Sequence, residues 1–87
     1  MKFGDWLTLQ MSLAGLSPQD ISKKTGVCES TVRNWETNEH YPELMNLIAL
    51  CEVLAIELDR NPSQLLFELV TQLDEFKYAM ERWKKRK

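Results

Sequence analysis

Residues 17–36 constrain the fold of this chain more than any other stretch, because they carry the signals of two short helices separated by a sharp turn. Ser17 can cap a helix through its hydroxyl, and Pro18 suits the first helical position because it lacks the N–H group that a helix start leaves unbonded. Gly26 ends this helix and permits the turn, since glycine tolerates a positive φ. We predict that the second helix of this pair occupies residues 28–37.

The second of these helices has a narrow apolar face and a polar face that the rest of the chain does not need. Val32 and Trp35, three residues apart, form its buried side. The polar face is the kind of surface with which a protein presents a helix to the major groove of DNA. The residues expected on it are Glu29, Ser30, Arg33, Asn34 and Thr37.

The sequence around this pair predicts three further helices. Apolar residues recur at helical spacing over residues 3–14, and Gly15 supplies a stop. A fourth helix starts at Pro42 and is apolar over more than half of its circumference, so we expect it to be the central core helix. Its apolar residues are Leu44, Leu47, Ile48, Leu50, Cys51 and Leu54, and Ile56 and Leu58 are expected to close the core.

A fifth helix is expected from Pro62 to about Lys84, since nothing interrupts it and Asn61 can cap its start. Its apolar residues follow the heptad spacing of a seam between helices. The helix either folds back over the thin core of its own domain or pairs with a second chain. The seam residues, which we take as the dimer interface, are Leu66, Leu69, Leu73, Phe76, Met80 and Trp83. We divide the chain into residues 1–59, which hold the first four helices, and residues 60–87.

The charge is distributed unevenly along the chain. The net charge is −2, but residues 1–59 hold nine acidic and four basic residues, a net of −5. Residues 60–87 have a net of +3, which lies mainly in residues 84–87. Because neutralisation of phosphate provides most non-specific affinity for DNA, the acidic part counts against strong binding. The basic end is either simply solvated or supplies the missing phosphate contacts.

The composition also argues against several classes of protein. There is no run of about 18 apolar residues for a membrane span and no signal peptide, so we expect a cytoplasmic protein. Cys28 and Cys51 are then expected to be reduced thiols. With His40 as the only histidine, and without a catalytic triad or a glycine-rich phosphate loop, we expect no metal, no cofactor and no enzymatic activity.

The landmarks of residues 3–58 together resemble the lambda-repressor/Cro-type helix-turn-helix family. They are Phe3, Gly4 and Leu7; Gly15, Leu16 and Ser17; Ile21, Ser22, Gly26 and Val27; Val32, Trp35 and Glu36; and Pro42, Leu44 and Leu47. The resemblance implies a five-helix DNA-binding fold whose third helix enters the major groove, usually as a dimer on a two-fold operator. It makes Glu29, Ser30 and Asn34, with Arg33 beside them, candidates for base contacts, and Lys23, Lys24 and Thr37 candidates for phosphate contacts.

The chemistry of the side chains supports the base contacts. Arg33 could bind the O6 and N7 atoms of guanine, Asn34 could pair with adenine, and Glu29 could accept from the N4 amine of cytosine. Other roles stay open. Arg33 could instead pair with Glu29 or Glu36, and Glu29 could be a solvated residue that the helix dipole favours.

Four residues depart from the usual pattern of the family. Pro18 replaces a glutamine that often contacts phosphate, Cys28 replaces the usual capping Ser or Thr, and Glu29 is an anion where a neutral amide is common. Met11 replaces an arginine that pairs with the glutamate at position 36. Glu36 must therefore find another cation, face water or have a raised pKa.

We therefore expect an all-α, five-helix, lambda-repressor-like domain with an extended C-terminal helix. The predicted function is that of a homodimeric transcriptional repressor that binds double-stranded DNA through residues 28–37. The alternative is a protein-interaction module that keeps the fold without operator binding. It would hold a protein partner through the fifth helix and the acidic surface.

Overall fold

The computed structural model describes residues 1–74 and 81–82. In this part of the chain the fold is all-α, with five helices and no strand, as the sequence predicts. The division at residue 59 falls in the turn between the fourth and fifth helices. The helices are α1 (Phe3–Ala14), α2 (Pro18–Thr25), α3 (Glu29–Glu36), α4 (Leu44–Leu58) and α5 (Pro62–Gln72).

The ends of α1 and α2 follow from local sequence signals. The Ser17 hydroxyl accepts from the Asp20 N–H at 3.2 Å, and the Asp20 carboxylate accepts from the Ser17 N–H at 2.9 Å, which forms a capping box. The hydrogen bond from the Ser17 backbone lowers the pKa of Asp20, because it favours the charged carboxylate. Gly15 and Gly26 end the two helices with φ values of 70° and 79°.

One hydrophobic core joins the five helices. α4 packs against α1, α2 and α5, and α3 packs against α1 and α2. α3 is therefore supported mainly by the first two helices. The buried apolar residues are Phe3, Trp6, Leu7, Met11, Ile21, Val32, Trp35, Leu50, Cys51, Leu54, Ala55, Leu65 and Leu69.

α4 differs from its prediction at both ends. It begins at Leu44 and not at Pro42, and its full burial starts only at Leu50, more than a turn further along. Leu44 is 66% exposed and Ile56 is 77% exposed, so their assignment to the core is wrong. Ile56 lies about 200° around the helix from Leu54 and thus points away from the buried side.

α5 is shorter than the sequence predicts. It ends at Gln72, and Leu73 has an extended backbone with φ −68° and ψ 138°, so the uninterrupted helix to about Lys84 is not observed. The end coincides with contacts to the start of the chain. The Met1 amino group donates to the Gln72 carbonyl at 3.3 Å and to the Asp74 carboxylate, and the Asp74 N–H donates to the Met1 carbonyl at 3.2 Å. These contacts satisfy polar groups that a helix end leaves unbonded.

The predicted seam of α5 is divided between two environments. Leu69 is fully buried, while Leu66 and Leu73 are half-buried and pack against the core. For these residues the structure agrees with the alternative in which α5 folds back on its own domain. Phe76, Met80 and Trp83 lie outside the described residues, as does the basic segment 84–87, so the dimer interface stays a prediction.

Candidate nucleic-acid interface

α3 is held on the domain by its two large apolar residues. Val32 and Trp35 are both buried in the core, as the sequence predicts. The turn before the helix is closed by Thr25, whose hydroxyl donates to the Ile21 carbonyl at 2.7 Å and accepts from the Val27 N–H at 3.2 Å. Thr25 is not among the residues predicted to matter, although a threonine beside a turn glycine is a common source of such bonds. The buried side chains of Val32 and Trp35 and the turn closed by Thr25 therefore both hold α3 in place.

The outer face of α3 is polar. Glu29, Ser30, Arg33 and Thr37 are exposed, and Asn34 is half-buried. Because residues three or four apart lie on the same side of a helix, the fold brings these five predicted residues onto one surface. Every side chain on this face can form hydrogen bonds.

Arg33 and Glu29 form an ion pair across one turn of α3. The Nη2 atom of Arg33 lies 3.7 Å from Oε1 of Glu29, and both side chains are well exposed, at 62% and 44%. This is the pairing that the sequence left open as an alternative role for Arg33. Pairs of this type contribute about 0.3–0.5 kcal/mol, so a ligand can displace it easily.

Glu36 is half-buried at the last position of α3. Burial raises the pKa of its carboxyl, and the positive charge of Arg33 acts in the opposite direction. The raised pKa is one of the three outcomes expected when Met11 replaces an arginine beside this glutamate. Arg33 therefore lies between two carboxylates, one a turn before it and one three residues after it.

The end of α3 is tied to the start of α1. Asn38 has a positive φ of 65°, and its Oδ1 atom accepts from the Gly4 N–H at 2.8 Å. A Cβ atom on Gly4 would lie only 2.3 Å from the Glu36 carbonyl oxygen. Asn38 is not among the residues to which the sequence pattern pointed. The available signals were a glycine inside an apolar helix and an asparagine just after a helix.

A family model described as helix-turn-helix, of the Cro type, matches residues 11–61, which is more than half of the chain. The chain belongs to the lambda-repressor/Cro-type helix-turn-helix family. This family consists of DNA-binding transcription regulators. Searches of curated proteins and of solved structures gave no match. In this helix-turn-helix domain α2 and α3 are the paired helices, and α3 occupies the position that the recognition helix has in the motif.

The two lysines of α2 in this helix-turn-helix domain differ in their surroundings. The Nζ atom of Lys24 lies 3.6 Å from the Glu57 carboxylate at the end of α4. Lys23 is exposed and forms no ion pair with another residue of segment 1–74. Of the two lysines that are predicted to contact phosphate, Lys24 is therefore the one already engaged within the domain.

Cys28 lies at the start of the recognition helix without capping it. It is the N-cap residue of α3, it is exposed, and its side chain makes no capping hydrogen bond, as expected for a thiol.

Within the described ranges, no group of three or more His, Cys, Asp or Glu side chains is placed to hold a metal ion. No helix among those residues is long and apolar enough to cross a membrane.

Proposed function

We propose that this helix-turn-helix protein is a cytoplasmic, dimeric transcriptional repressor that places residues 28–37 in the major groove of an operator. The observation that carries the proposal is the division of α3 into two faces. Val32 and Trp35 are buried, while the exposed residues Glu29, Ser30 and Arg33 can all form hydrogen bonds. A rigid helix with such a surface can read base edges.

The proposed contacts follow from chemistry and position. Arg33 would bind guanine and Asn34 would pair with adenine, with Ser30 and Glu29 as further base contacts. Thr37 and Lys23 would contact phosphate, since both side chains are exposed. Lys24 is a weaker candidate, because it is paired with Glu57.

Dimerisation would supply affinity that one acidic domain lacks. Two recognition helices on half-sites about 34 Å apart, one turn of DNA, double the number of contacts. Repression would be steric, because the bound dimer covers the operator. We propose that the interface includes Leu66 and Leu73 together with Phe76, Met80 and Trp83. Leu69 supports it from the core and has no exposed surface to offer a second chain.

A second candidate function is a protein-interaction module. The net charge of −5 over residues 1–59 and the exposed apolar side chains Leu44, Met45 and Phe67 favour it. Such a module would keep the fold but bind a protein through its acidic and apolar surface. DNA selection separates the two functions.

The decisive experiment is selection of bound fragments from random and genomic DNA at about 100 mM salt. The regulator should enrich a two-fold site whose half-sites are about one helical turn apart. Arg33→Ala should lose this enrichment, whereas the control Glu52→Gln, on α4, should keep it. Absence of any enriched sequence for the unaltered protein would contradict the repressor and favour the protein-interaction module.

A further inference from the structure

The recognition helix carries a single cation that is placed between two anions. Arg33 is the only Lys or Arg of α3, and Glu29 and Glu36 give the helix a net charge of −1. The Glu29 carboxylate lies 3.7 Å from the Arg33 guanidinium. The positive charge of Arg33 also acts on the carboxyl of Glu36, three residues further along the helix. The surface that meets DNA is therefore not one that attracts phosphate by charge alone.

We propose that Glu29 is a specificity-determining residue, which withholds Arg33 from phosphate groups and releases it to a guanine. The inference rests on the proposed function. In this role Glu29 competes with DNA for the Arg33 side chain. The role does not depend on any contact between Glu29 and a base. The ligand that it discriminates against is the phosphate backbone of non-operator duplex DNA.

The relative strengths of the competing contacts support this role. An exposed ion pair across one helical turn favours its paired form only about twofold. A bidentate contact of arginine with guanine discriminates about five- to 150-fold, so it displaces the pair easily. A single phosphate does not match the geometry of the arginine in this way. It is also repelled by the negative charge of Glu29. Non-specific affinity therefore falls more than operator affinity, which raises the ratio that determines occupancy in a genome.

The test uses Glu29→Gln, which keeps the shape of the side chain and removes its charge. Binding is measured by fluorescence anisotropy on the selected operator and on an unrelated duplex, over about 50–200 mM salt. Arg33→Ala and the double variant complete a cycle that measures the coupling of the two residues. Glu52→Gln is the matched control, since it removes the same charge from an exposed position on α4.

We expect Glu29→Gln to bind the unrelated duplex more tightly, with a salt slope that is steeper by at most about 0.9, because Arg33 is freed for one phosphate contact. The gain should shrink by at most about three- to fourfold as the salt concentration rises from about 50 to 200 mM. Operator affinity should not rise by as much as the affinity for the unrelated duplex, so the specificity ratio falls. In the Arg33→Ala background the gain on the unrelated duplex should be smaller.

Two results would overturn the inference. An unchanged or higher specificity ratio for Glu29→Gln would show that its charge does not protect specificity. An equal gain with and without Arg33, or an equal gain for Glu52→Gln, would show that Glu29 acts only by general repulsion. Failure of the unaltered protein to bind any DNA sequence would overturn the proposed function and this inference with it. That outcome differs from the two results above, in which the unaltered protein does bind DNA.

Discussion

The backbone N–H of Gly4 donates to the Oδ1 atom of Asn38 at 2.8 Å, which joins the first turn of α1 to the residue that follows α3 by two positions. α1 has no side-chain cap of its own, because Lys2 provides none. Asn38 therefore caps α1 from a distant part of the chain. The orientation of α3 depends on this junction as well as on Val32 and Trp35.

Gly4→Ala should lower the free energy of unfolding by about 1–3 kcal/mol, the usual cost of overpacking a closely packed site. The physical reason is steric, since the new Cβ would lie 2.3 Å from the Glu36 carbonyl oxygen and 2.7 Å from that of Trp35. Backbone atoms cannot move aside as a flexible side chain can. The measurement is equilibrium unfolding in urea.

The control for Gly4→Ala is Ser12→Ala, an exposed position of the same helix. It should change the free energy of unfolding by less than about 0.5 kcal/mol. Equal stabilities for the two variants would mean that α1 and α3 do not approach each other as closely as the structure shows.

Glu36→Gln should stabilise the domain at neutral pH, because it removes a charge that is partly buried. The gain should be less than about 1 kcal/mol, since the side chain keeps part of its hydration. Burial raises the pKa of Glu36, so the folded protein holds this proton more tightly than the unfolded chain does. The contribution of Glu36 to stability therefore falls as the pH rises from the usual glutamate pKa, about 4.3, through the raised one.

The measurement for Glu36 is a series of urea unfolding curves between acidic and neutral pH. The advantage of the glutamine variant should grow with pH and then level off. Glu39→Gln, at an exposed loop position, serves as the control. A constant difference between Glu36→Gln and the unaltered protein across this range would contradict the prediction.

Lys23→Ala should weaken DNA binding more than Lys24→Ala does. Lys23 is available to phosphate, whereas Lys24 is engaged with Glu57 at 3.6 Å. Loss of one phosphate contact should reduce the salt slope by about 0.9 for Lys23→Ala and by less for Lys24→Ala. Anisotropy titrations on the selected operator measure both slopes, and a larger effect at Lys24 would refute the assignment.

Met80→Glu should convert the protein from dimer to monomer, since a charge in an apolar interface has no partner to offset its desolvation. Light scattering should then give the chain mass of 10.2 kDa in place of twice that value. Ile56→Glu is the matched control, because Ile56 is exposed on α4 and outside the proposed seam. A monomeric unaltered protein would show that the seam residues do not join two chains.

The two cysteines should differ in their reaction with iodoacetamide at neutral pH. Cys28 is exposed, while Cys51 is 2% exposed and burial raises its pKa to about 11. Since the thiolate is the reactive species, Cys51 should react only after unfolding. Intact-mass measurements should show one label on the folded protein and two in denaturant. Equal labelling rates in the folded state would contradict the burial of Cys51.

Much of the fold follows from signals that act over a few residues. The cap at Ser17, the glycines at the ends of α1 and α2, and the burial of Val32 and Trp35 were all predictable. Each depends on chemistry within one or two helical turns. The polar face of α3 was predictable for the same reason, since it is the part of the helix that remains once its apolar side is assigned.

The contacts that sequence reasoning missed join distant parts of the chain. Nothing near Asn38 in the sequence indicates that Gly4 will be its donor, because the two meet only when α1 packs on α3. The end of α5 at Gln72 likewise depends on Met1. Periodicity alone also placed Ile56 in the core, because it counts apolar residues without knowing which side of α4 has neighbours.

On α3, the residues that stabilise the fold differ from the residues that are proposed to contact DNA. Substitutions at Glu29, Ser30 and Arg33 remove no side chain from the core, so a lineage can exchange them without first compensating for a weakened fold. Changes at Val32 or Trp35 would have the opposite effect and would be eliminated whatever the operator. A domain built in this way can acquire a new target site through a few tolerated steps, and its recognition surface is a natural place to transplant the base contacts of another protein.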